Sequence, residues 1–585
     1  MGTAASNAAR YCDRLNTVYK KIKLRRQHLK EAAKISCTHK LTAVAGRILA
    51  ARGFKAGYAL ENFLNPTLKQ GLPLPADLLN LEAACELIKD SIRLGKGIAI
   101  CCDFDVDGLS GGSQIHHFLK ALGAESRVFI PDRFEDGYGL NRKMVQEIAR
   151  RKFGLLVTVD YGTTNAEELE LARGLGLKTV VIDHHHVADA ILPCDAFINP
   201  WQRGCGFAGK VLSASGLAWY LICGLKKALA EIAPTAIDPR TYLDLACLGT
   251  ICDMVPLTGA NRVIARRGLE LLSATKRPGL IALKNVAGIQ YEPSCYDVSF
   301  AIGPRLNAAG RMVHADAVIE LLTTDDSLLA DKIARRLNRL NSERQETESR
   351  TKEQALKILQ RDYPRGDLPP GLVIWDKSFH SGVIGIVAQR LVELFYRPVA
   401  LMGMGNDGLY RGSVRGVKGF SVVEALAAVS ATLVKFGGHE GAGGFAVRQE
   451  KARDFAEAFM LECEKRLKGL DTIPCAEADT EVSLPEVDMA LVDELRLFSP
   501  FGVGNPSPQL LVNNLKVIDV KNLKGTHLKA LLSDGTRFIS GLLWRQTEHP
   551  ALRKGARVNV VFRADYNTFG GITELQANLQ AIEEA

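Results

Sequence analysis

Asp103 and Asp105 stand two residues apart at the end of an apolar run, in the stretch 97–108 that reads GIAICCDFDVDG, with Asp107 and Gly108 directly behind them. The same pattern recurs twice. Residues 155–159 (LLVTV) end at Asp160 and Gly162, and residues 179–182 (TVVI) end at Asp183, His184, His185 and His186. Carboxylates joined by imidazoles suit a hard divalent cation, Mn²⁺ or Mg²⁺, better than a thiolate-loving metal. A further acid, Asp253, closes the apolar run 242–252. A lone acid at a helix end is ordinarily a solvated cap; here it is a candidate ligand because a dinuclear site needs one more anionic donor.

The elements that must position these residues follow from periodicity. Uninterrupted apolar runs of strand length read as buried parallel strands. Strand, turn and helix patterns alternate from 97 to about 200, the signature of βαβ units. In such a sheet the carboxyl ends of the strands are the edge where ligands bind. Residues 41–96 read as helical, as do 210–285. Residues 325–362 contain no Gly or Pro and carry Leu329, Ile333, Leu337 and Leu340 at helical spacing, which predicts a connecting helix of roughly 50 Å. A second α/β pattern begins at 372–375 (LVIW) and holds Ser413, Arg415 and the glycine-rich stretch 437–444. After about 475, short alternating strands fit a small β-barrel.

A chain of 585 residues is too long for one core and implies several domains. The net charge of +9 leans toward a polyanionic partner without deciding for one. Thirteen cysteines occur with no C-x-x-C, and Cys101, Cys102 and Cys223 sit inside apolar runs. That pattern points to reduced, buried thiols in a cytoplasmic protein, not to disulfides or zinc. No transmembrane helix or secretory signal is expected. Residues 1–40 are basic and read as a solvated helix; Met1-Gly2 with Ser6 fits a myristoylation pattern only weakly, and the scarcity of acids is a weak transit-peptide signal.

In order, Asp103-x-Asp105 with Gly108, Val159-Asp160-Tyr161-Gly162, Asp183-His184-His185 and Gly249-Thr250-x-x-Asp253 resemble the motifs of the DHH phosphoesterase superfamily. Gly437-Gly438-His439 with Ala442-Gly443-Gly444 resembles the motif of the associated DHHA1 domain. The stretches 130–139 (IPDRFEDGYG), 305–311 (RLNAAGR), 380–385 (HSGVIG) and 500–506 (PFGVGNP) narrow the likeness to the RecJ family, bacterial exonucleases specific for single-stranded DNA. It covers roughly residues 41–585.

This resemblance implies an α/β protein: a parallel-sheet DHH domain joined by a long helix to a second α/β domain, DHHA1, followed by an OB-type barrel. The expected divisions are a basic extension at 1–40, the DHH domain at 41–320, the connecting helix at 321–364, DHHA1 at 365–470 and the OB fold at 475–585. It implies that Asp103, Asp105, Asp160, His184 and Asp253 hold two divalent ions, Mn²⁺ or Mg²⁺, and that His185 joins them in catalysis, orienting a phosphate or water. His186 has no counterpart in the motif. Asp107 either binds a metal indirectly or shapes the turn with Gly108, and ranks behind the others. Several relatives place a His four residues before the first Asp, where this chain has Ala99.

Substrate-binding candidates are Arg133, Tyr138, Arg305, Asn307, Arg311, His380, Ser413, Arg415, Gly438 and His439. Guanidinium forks and hydroxyls match phosphate, and Tyr138 could stack on a base without reading it; the competing reading of each is a surface charge, a core ring or a tight turn. Lys516, Lys521, Lys524 and Lys529 could track phosphates on the barrel or merely keep it soluble. The expected activity is metal-dependent hydrolysis of single-stranded DNA from the 5′ end to mononucleotides, by in-line attack of activated water at phosphorus, in DNA repair and recombination. The implied partners are single-stranded DNA, a helicase and a single-strand-binding protein; the expected state is a monomer. The alternatives are a phosphodiesterase of short oligonucleotides or cyclic dinucleotides, and a nucleic-acid scaffold that has lost catalysis.

Overall fold

The computed structural model describes residues 19–133, 137–187, 191–230, 232, 236–471, 473–569 and 572–585. The amino-terminal pattern Met1, Gly2, Ser6 and residues 134–136 of the 130–139 motif lie outside them. The chain forms two compact units. One holds residues 57–342 and 496–507; the other holds the chain up to Ala56, then 343–495 and 508–585.

In the second unit the chain opens with strand β1 (Lys21–Leu24) and helices α1 (Leu29–His39) and α2 (Ala43–Ala51). The basic stretch read as a helix therefore contains a strand. β1 pairs in parallel with β12 (Cys475–Ala478), Lys21 opposite Cys475, a partner no local pattern announces. Arg25 is engaged internally by Glu477 and Asp479.

The unit of residues 57–342 is built on a five-stranded, all-parallel sheet. The elements that frame the site are, in order, α3 (Leu81–Arg93), β2 (Ile98–Cys102), α4 (Val106–Ala121), β3 (Ser126–Phe129), β4 (Leu155–Val159), β5 (Lys178–Ile182), β6 (Ala196–Ile198), α5 (Ala214–Ala228), α6 (Leu243–Cys252), α7 (Gly259–Ser273) and α8 (Gly303–Met312). The strand order is β3-β2-β4-β5-β6. Both faces are covered, which explains the continuous apolar runs. Ile98, Ile100 and Cys102 enter one core with Val157 and Ile182, while Ala99 and Cys101 enter the other with Leu156 and Val181, the two-residue alternation of a pleated strand.

Residues 496–507 fold into this same unit. The buried Arg262 donates to the carbonyls of Phe63, Leu497, Phe498 and Ser499, and its guanidinium lies 3.8 Å from the Phe63 ring centroid. Asn505 Nδ2 donates to the Phe498 and Pro500 carbonyls. Leu257 N–H donates to Val503 O at 2.7 Å. A Cβ on Gly502 would lie 2.7 Å from Leu257, so the motif 500–506 is shaped to seat the loop that follows Asp253.

Helix α9 (Ser327–Asp362) matches the predicted uninterrupted span over 36 residues, about 54 Å at 1.5 Å per residue. The division between the units falls within it, at Ser342 and Glu343. Beyond it come β7 (Leu372–Trp375), α10 (Ile384–Phe395), β8 (Val399–Met404), β9 (Leu409–Arg415), β10 (Lys435–Gly438) and β11 (Ala442–Arg448), in a sheet of order β10-β11-β9-β8-β7. After β12 and the short β13 (Thr480–Glu481), strands β14 (Leu510–Leu523), β15 (His527–Ser533), β16 (Phe538–Leu543), β17 (Arg557–Phe569) and β18 (Ile572–Glu584) follow. The order β14-β15-β16-β18-β17 closes through a β14–β17 pairing, giving the expected barrel. Its strands are longer than their alternation suggests, because bulges at Val512/Leu515, Val517/Asp519 and Val561/Phe562 shift the inward phase and break the pattern.

Candidate metal centre and substrate-binding residues

The acids gather at the carboxyl edge of the parallel sheet. Asp105 is the N-cap of α4 and accepts from the N–H groups of Asp107 and Gly108 at 2.9 and 3.2 Å. This bond turns the chain out of β2 and fixes Asp103 and Asp105 side by side. Gly108 sits so close beneath that a Cβ would lie 2.6 to 2.8 Å from the backbone of Asp103. Gly310 on α8 meets the Phe104 carbonyl in the same manner, at 2.7 Å.

Asp160 follows β4 with φ of 71°, a left-handed conformation tolerated by Asp and Asn better than by most residues. Its N–H donates to Ile182 O at 3.0 Å, and its Oδ1 lies 3.2 Å from His184 Nε2. Asp253, the C-cap of α6, brings Oδ2 to 3.5 Å from the same nitrogen. Ligand atoms of Asp103, Asp105 and Asp160 lie within 4.8 Å of one another, as do those of Asp160, His184 and His185, and those of Asp107, His184 and Asp253.

Asp183 carries a role the sequence reading missed. Its Oδ1 accepts from the N–H groups of His184 and His185 and from His185 Nδ1 at 2.7 to 3.2 Å, and its Oδ2 accepts from Thr163 N–H at 2.9 Å. Burial alone would raise its pKa; the His185 and Thr163 bonds hold it well below the ordinary carboxylate value. Burial works against protonation of His185, but the Asp183 bond and charge outweigh it and raise the imidazole pKa. Asp183 thereby fixes the ring of one histidine and the backbone of both.

Asp107 is placed similarly. Its carboxylate accepts from the Ala214 and Ser215 N–H groups at the start of α5, at 2.7 and 2.9 Å, with Oδ2 3.9 Å from His184 Nε2. A Cβ on Gly249 would lie 2.4 Å from Asp107 Oδ1 and from Ser215 Cβ, which is why α6 carries glycine there. The signal for both acids was present: each adjoins a ligand candidate.

So many carboxylates in one cleft repel one another. Burial and then the Asp105 charge push Asp103 well above its usual pKa, against the opposing Phe104 N–H and Arg133. Burial, followed by Asp107 and Asp105, does the same to Asp160. Burial and Asp105 raise Asp107 to about 7, and burial with Asp107 and Asp105 raises Asp253 to about 9. Asp103 Oδ1 is buried with no hydrogen-bond partner among the described residues. Such an oxygen-rich, imidazole-completed cluster fits divalent cations, which would replace protons as the neutralising charge.

A sign follows for stability. A carboxyl whose folded pKa is raised binds its proton more tightly when folded, so its contribution falls as pH rises from the unfolded value near 4 through the folded value. The metal-free protein therefore loses stability from this cluster from about pH 4 upward, until about pH 7 for Asp107 and about pH 9 for Asp253. Mn²⁺ should raise the melting temperature more at about pH 8.5 than at about pH 6. Thermal melts with Mn²⁺ and with EDTA at both pH values check this; equal increments would contradict it.

Around the acids, Tyr138 donates its hydroxyl to Asp160 O at 2.8 Å and lies 3.5 Å from His185 Nε2, while the residue as a whole remains exposed. The Arg133 guanidinium lies 5.0 Å from the Phe104 ring centroid. His186 packs on Trp201 with centroids 4.7 Å apart. Arg305 donates to Asn338 Oδ1 and to the carbonyls of Ala301 and Val286, bracing α8 against α9. Asn307 and Arg311 are half-buried on α8.

The other unit holds the remaining candidates. Ser413 and Arg415 share the half-exposed face of β9, Arg415 donating to Ser413 Oγ and Val414 O at 2.8 Å. A Cβ on Gly385, at the start of α10, would lie 2.9 Å from Arg415 Nη2 and 3.1 Å from Ser413 Oγ. His380 Nδ1 accepts from Gly382 N–H at 3.1 Å. Gly438, at φ of 152° and opposite Gly443, leaves no room for a Cβ beside Ala442 O; His439 N–H donates to that carbonyl at 2.8 Å. On the barrel Lys516 and Lys521 are exposed, and Lys521 faces Lys529 across β14 and β15.

Comparison with known proteins agrees with the order of domains. Residues 97–250 match the DHH family N-terminal domain, 369–465 the DHHA1 domain and 478–581 the RecJ OB domain. The chain is 32 % identical to the single-stranded-DNA-specific exonuclease RecJ of Escherichia coli K12, covering 95 % of this chain and 98 % of that protein. It is 32 % identical to RecJ of Bacillus subtilis 168 over 90 % of this chain, and there it spans 66 % of the relative's length. The crystal structure of Thermus thermophilus RecJ in complex with Mn²⁺ superposes with a TM-score of 0.82 at 29 % identity, covering 97 % of this chain and 79 % of that one. With the family models in order along the chain and a relative matched over nearly its whole length, the chain belongs to the RecJ family.

Proposed function

We propose that this chain is a metal-dependent exonuclease that hydrolyses single-stranded DNA from its 5′ end to mononucleotides, in DNA repair and recombination. The observation that carries the reading is the convergence of Asp103, Asp105, Asp107, Asp160, Asp253, His184 and His185 at one edge of the parallel sheet. Asp103, Asp105, Asp160, His184 and Asp253 would hold two divalent ions, which when bound supply a nucleophile at neutral pH and offset charge on the entering and leaving oxygens.

The chain's own groups do the rest. His185, held by Asp183, presents Nε2 beside the cluster, where a proton raised in affinity can bond a phosphate oxygen. Arg133 offers the fixed positive charge beside Asp103. Ser413 and Arg415, on β9 beside the start of α10, set a hydroxyl and a guanidinium against a helix N-terminus and suit a terminal phosphate; His380, Gly438 and His439 lie nearby in the same unit. Arg311 and Asn307 of the 305–311 motif, half-buried on α8, offer a guanidinium and an amide that suit phosphate, with Arg305 bracing their helix.

An enzyme that consumes only single strands needs a helicase to open duplex and works beside a single-strand-binding protein; we assign both as partners, with the chain itself a monomer. No described helix is long and apolar enough to cross a membrane, and the described cysteines are free, in keeping with a reducing cytoplasm.

Single-stranded oligomers labelled at the 5′ or the 3′ end, digested with Mn²⁺ or with EDTA, test the reading. Release of 5′-labelled mononucleotide first, with none in EDTA, is expected. Binding without cleavage would favour a scaffold, and cleavage confined to dimers through pentamers would favour a short-oligonucleotide phosphodiesterase.

A further inference from the structure

Three exposed aromatic residues lie within ten positions of one another just ahead of α8: Tyr291, Tyr296 and Phe300, exposed by 60, 67 and 61 %. Large apolar side chains left to water in a cluster mark a contact surface more often than chance does. Tyr296 and Phe300 already form a pair, with ring centroids 4.7 Å apart and planes inclined by 33°.

The backbone beneath them is held on every side. Pro304 near the start of α8 has no N–H and its ring crowds the carbonyl of residue 300, and the chain widens into a π-helical turn over Val298–Ile302, a feature frequent at functional sites. Asp297 forms a capping box with Ser294 and accepts from the Tyr291 hydroxyl at 2.8 Å. On the inner side, Cys252 Sγ reaches Val298 O at 3.9 Å, and a Cβ on Gly303 would lie 2.5 Å from that sulfur. Cys252 adjoins Asp253. The aromatic pair therefore rides on a segment that packs against Cys252, the neighbour of Asp253 in the chain.

We infer that Tyr296 and Phe300 form a stacking shelf for the bases of the single strand, gripping it without regard to sequence. The inference rests on the reading that the substrate is single-stranded DNA. Sequence-tolerant grip is what planar rings supply, since every base has a π-face, and the shelf's union with the Asp253 segment favours a strand over a protein partner.

The test is binding of an oligothymidylate to the full-length protein in EDTA, followed by fluorescence anisotropy. The double variant Tyr296→Ala, Phe300→Ala is expected to bind roughly tenfold or more weakly, the scale of losing stacked bases, with an unchanged melting curve because both rings are solvent-exposed. Phe300→Leu, which keeps apolar area but no π-face, should lose affinity, and Phe300→Trp should keep it. An oligomer made of abasic residues should bind the unaltered protein more weakly, and the double variant should bind the two oligomers nearly equally. Unchanged affinity in the double variant, or full retention by Phe300→Leu, would overturn the shelf. Failure of the unaltered protein to bind any single strand would instead overturn the underlying reading.

Discussion

Asp160→Asn is expected to lower hydrolysis of single-stranded DNA by at least ~10²–10³-fold, the scale of removing one charge-stabilising group at a reacting centre. Asparagine is the informative replacement. Residue 160 sits at φ of 71°, where Asn is nearly as comfortable as Asp and Ala is not, so the variant removes charge while leaving the turn. The same variant should melt at a higher temperature than the parent in EDTA at about pH 8, because a buried carboxylate repelled by Asp107, Asp105 and Asp253 is gone. Lost activity with gained metal-free stability separates a ligand from a structural acid. Single-strand binding should persist, since the proposed phosphate and base contacts lie on other residues. Undiminished turnover, or a lowered melting temperature in EDTA, would remove Asp160 from the metal centre.

Gly108→Ala is the second large effect expected, and it touches no ligand. The added methyl would lie 2.6 to 2.8 Å from Asp103 N, Cα and O, and these are backbone atoms with no rotamer to yield. Relief must come from moving the Asp103–Asp105 turn off α4 or tilting the first turn of α4, so the acids separate by some tenths of an ångström or more. Misplacement of about 1 Å can lower a rate roughly 10²-fold. The rate should fall to that extent, with weaker Mn²⁺ binding by calorimetry and secondary structure retained by circular dichroism. Full activity with unchanged Mn²⁺ affinity would show that the turn adapts.

These two sites differ in how far sequence reveals them. The strand carrying Asp103 was legible because a run buried on both faces admits no other short pattern, and its acids mark where burial ends. Asp160 and His184 were legible for the same reason. Asp253 was legible only as the extra anionic donor a dinuclear site needs and through the shared motif, since a helix-end acid is ordinary until tertiary structure turns it toward His184. The role of Asp183 was missed and that of Asp107 left open between metal and turn for one reason: whether a carboxylate points at a metal or at neighbouring N–H groups depends on the turn, not on residue type. The Arg305 fork was hidden likewise, because its partners Asn338, Ala301 and Val286 are set by how α8 meets α9. The β1–β12 pairing could not be read locally, as its two strands are separated by most of the chain.

The short segment 496–507 has a further consequence. The sequence match places it inside the OB domain, at 478–581, yet it packs with residues 57–342 and seats the loop behind Asp253. One piece of the carboxyl-terminal module thus belongs, by packing, to the unit that holds the acids. A chain trimmed at 475 would keep every candidate ligand and lose the splint that fixes the last of them. A cut made at the domain boundary in sequence therefore does not coincide with the boundary in packing, and a barrel exchanged from residue 508 onward would leave the splint with the sheet it serves.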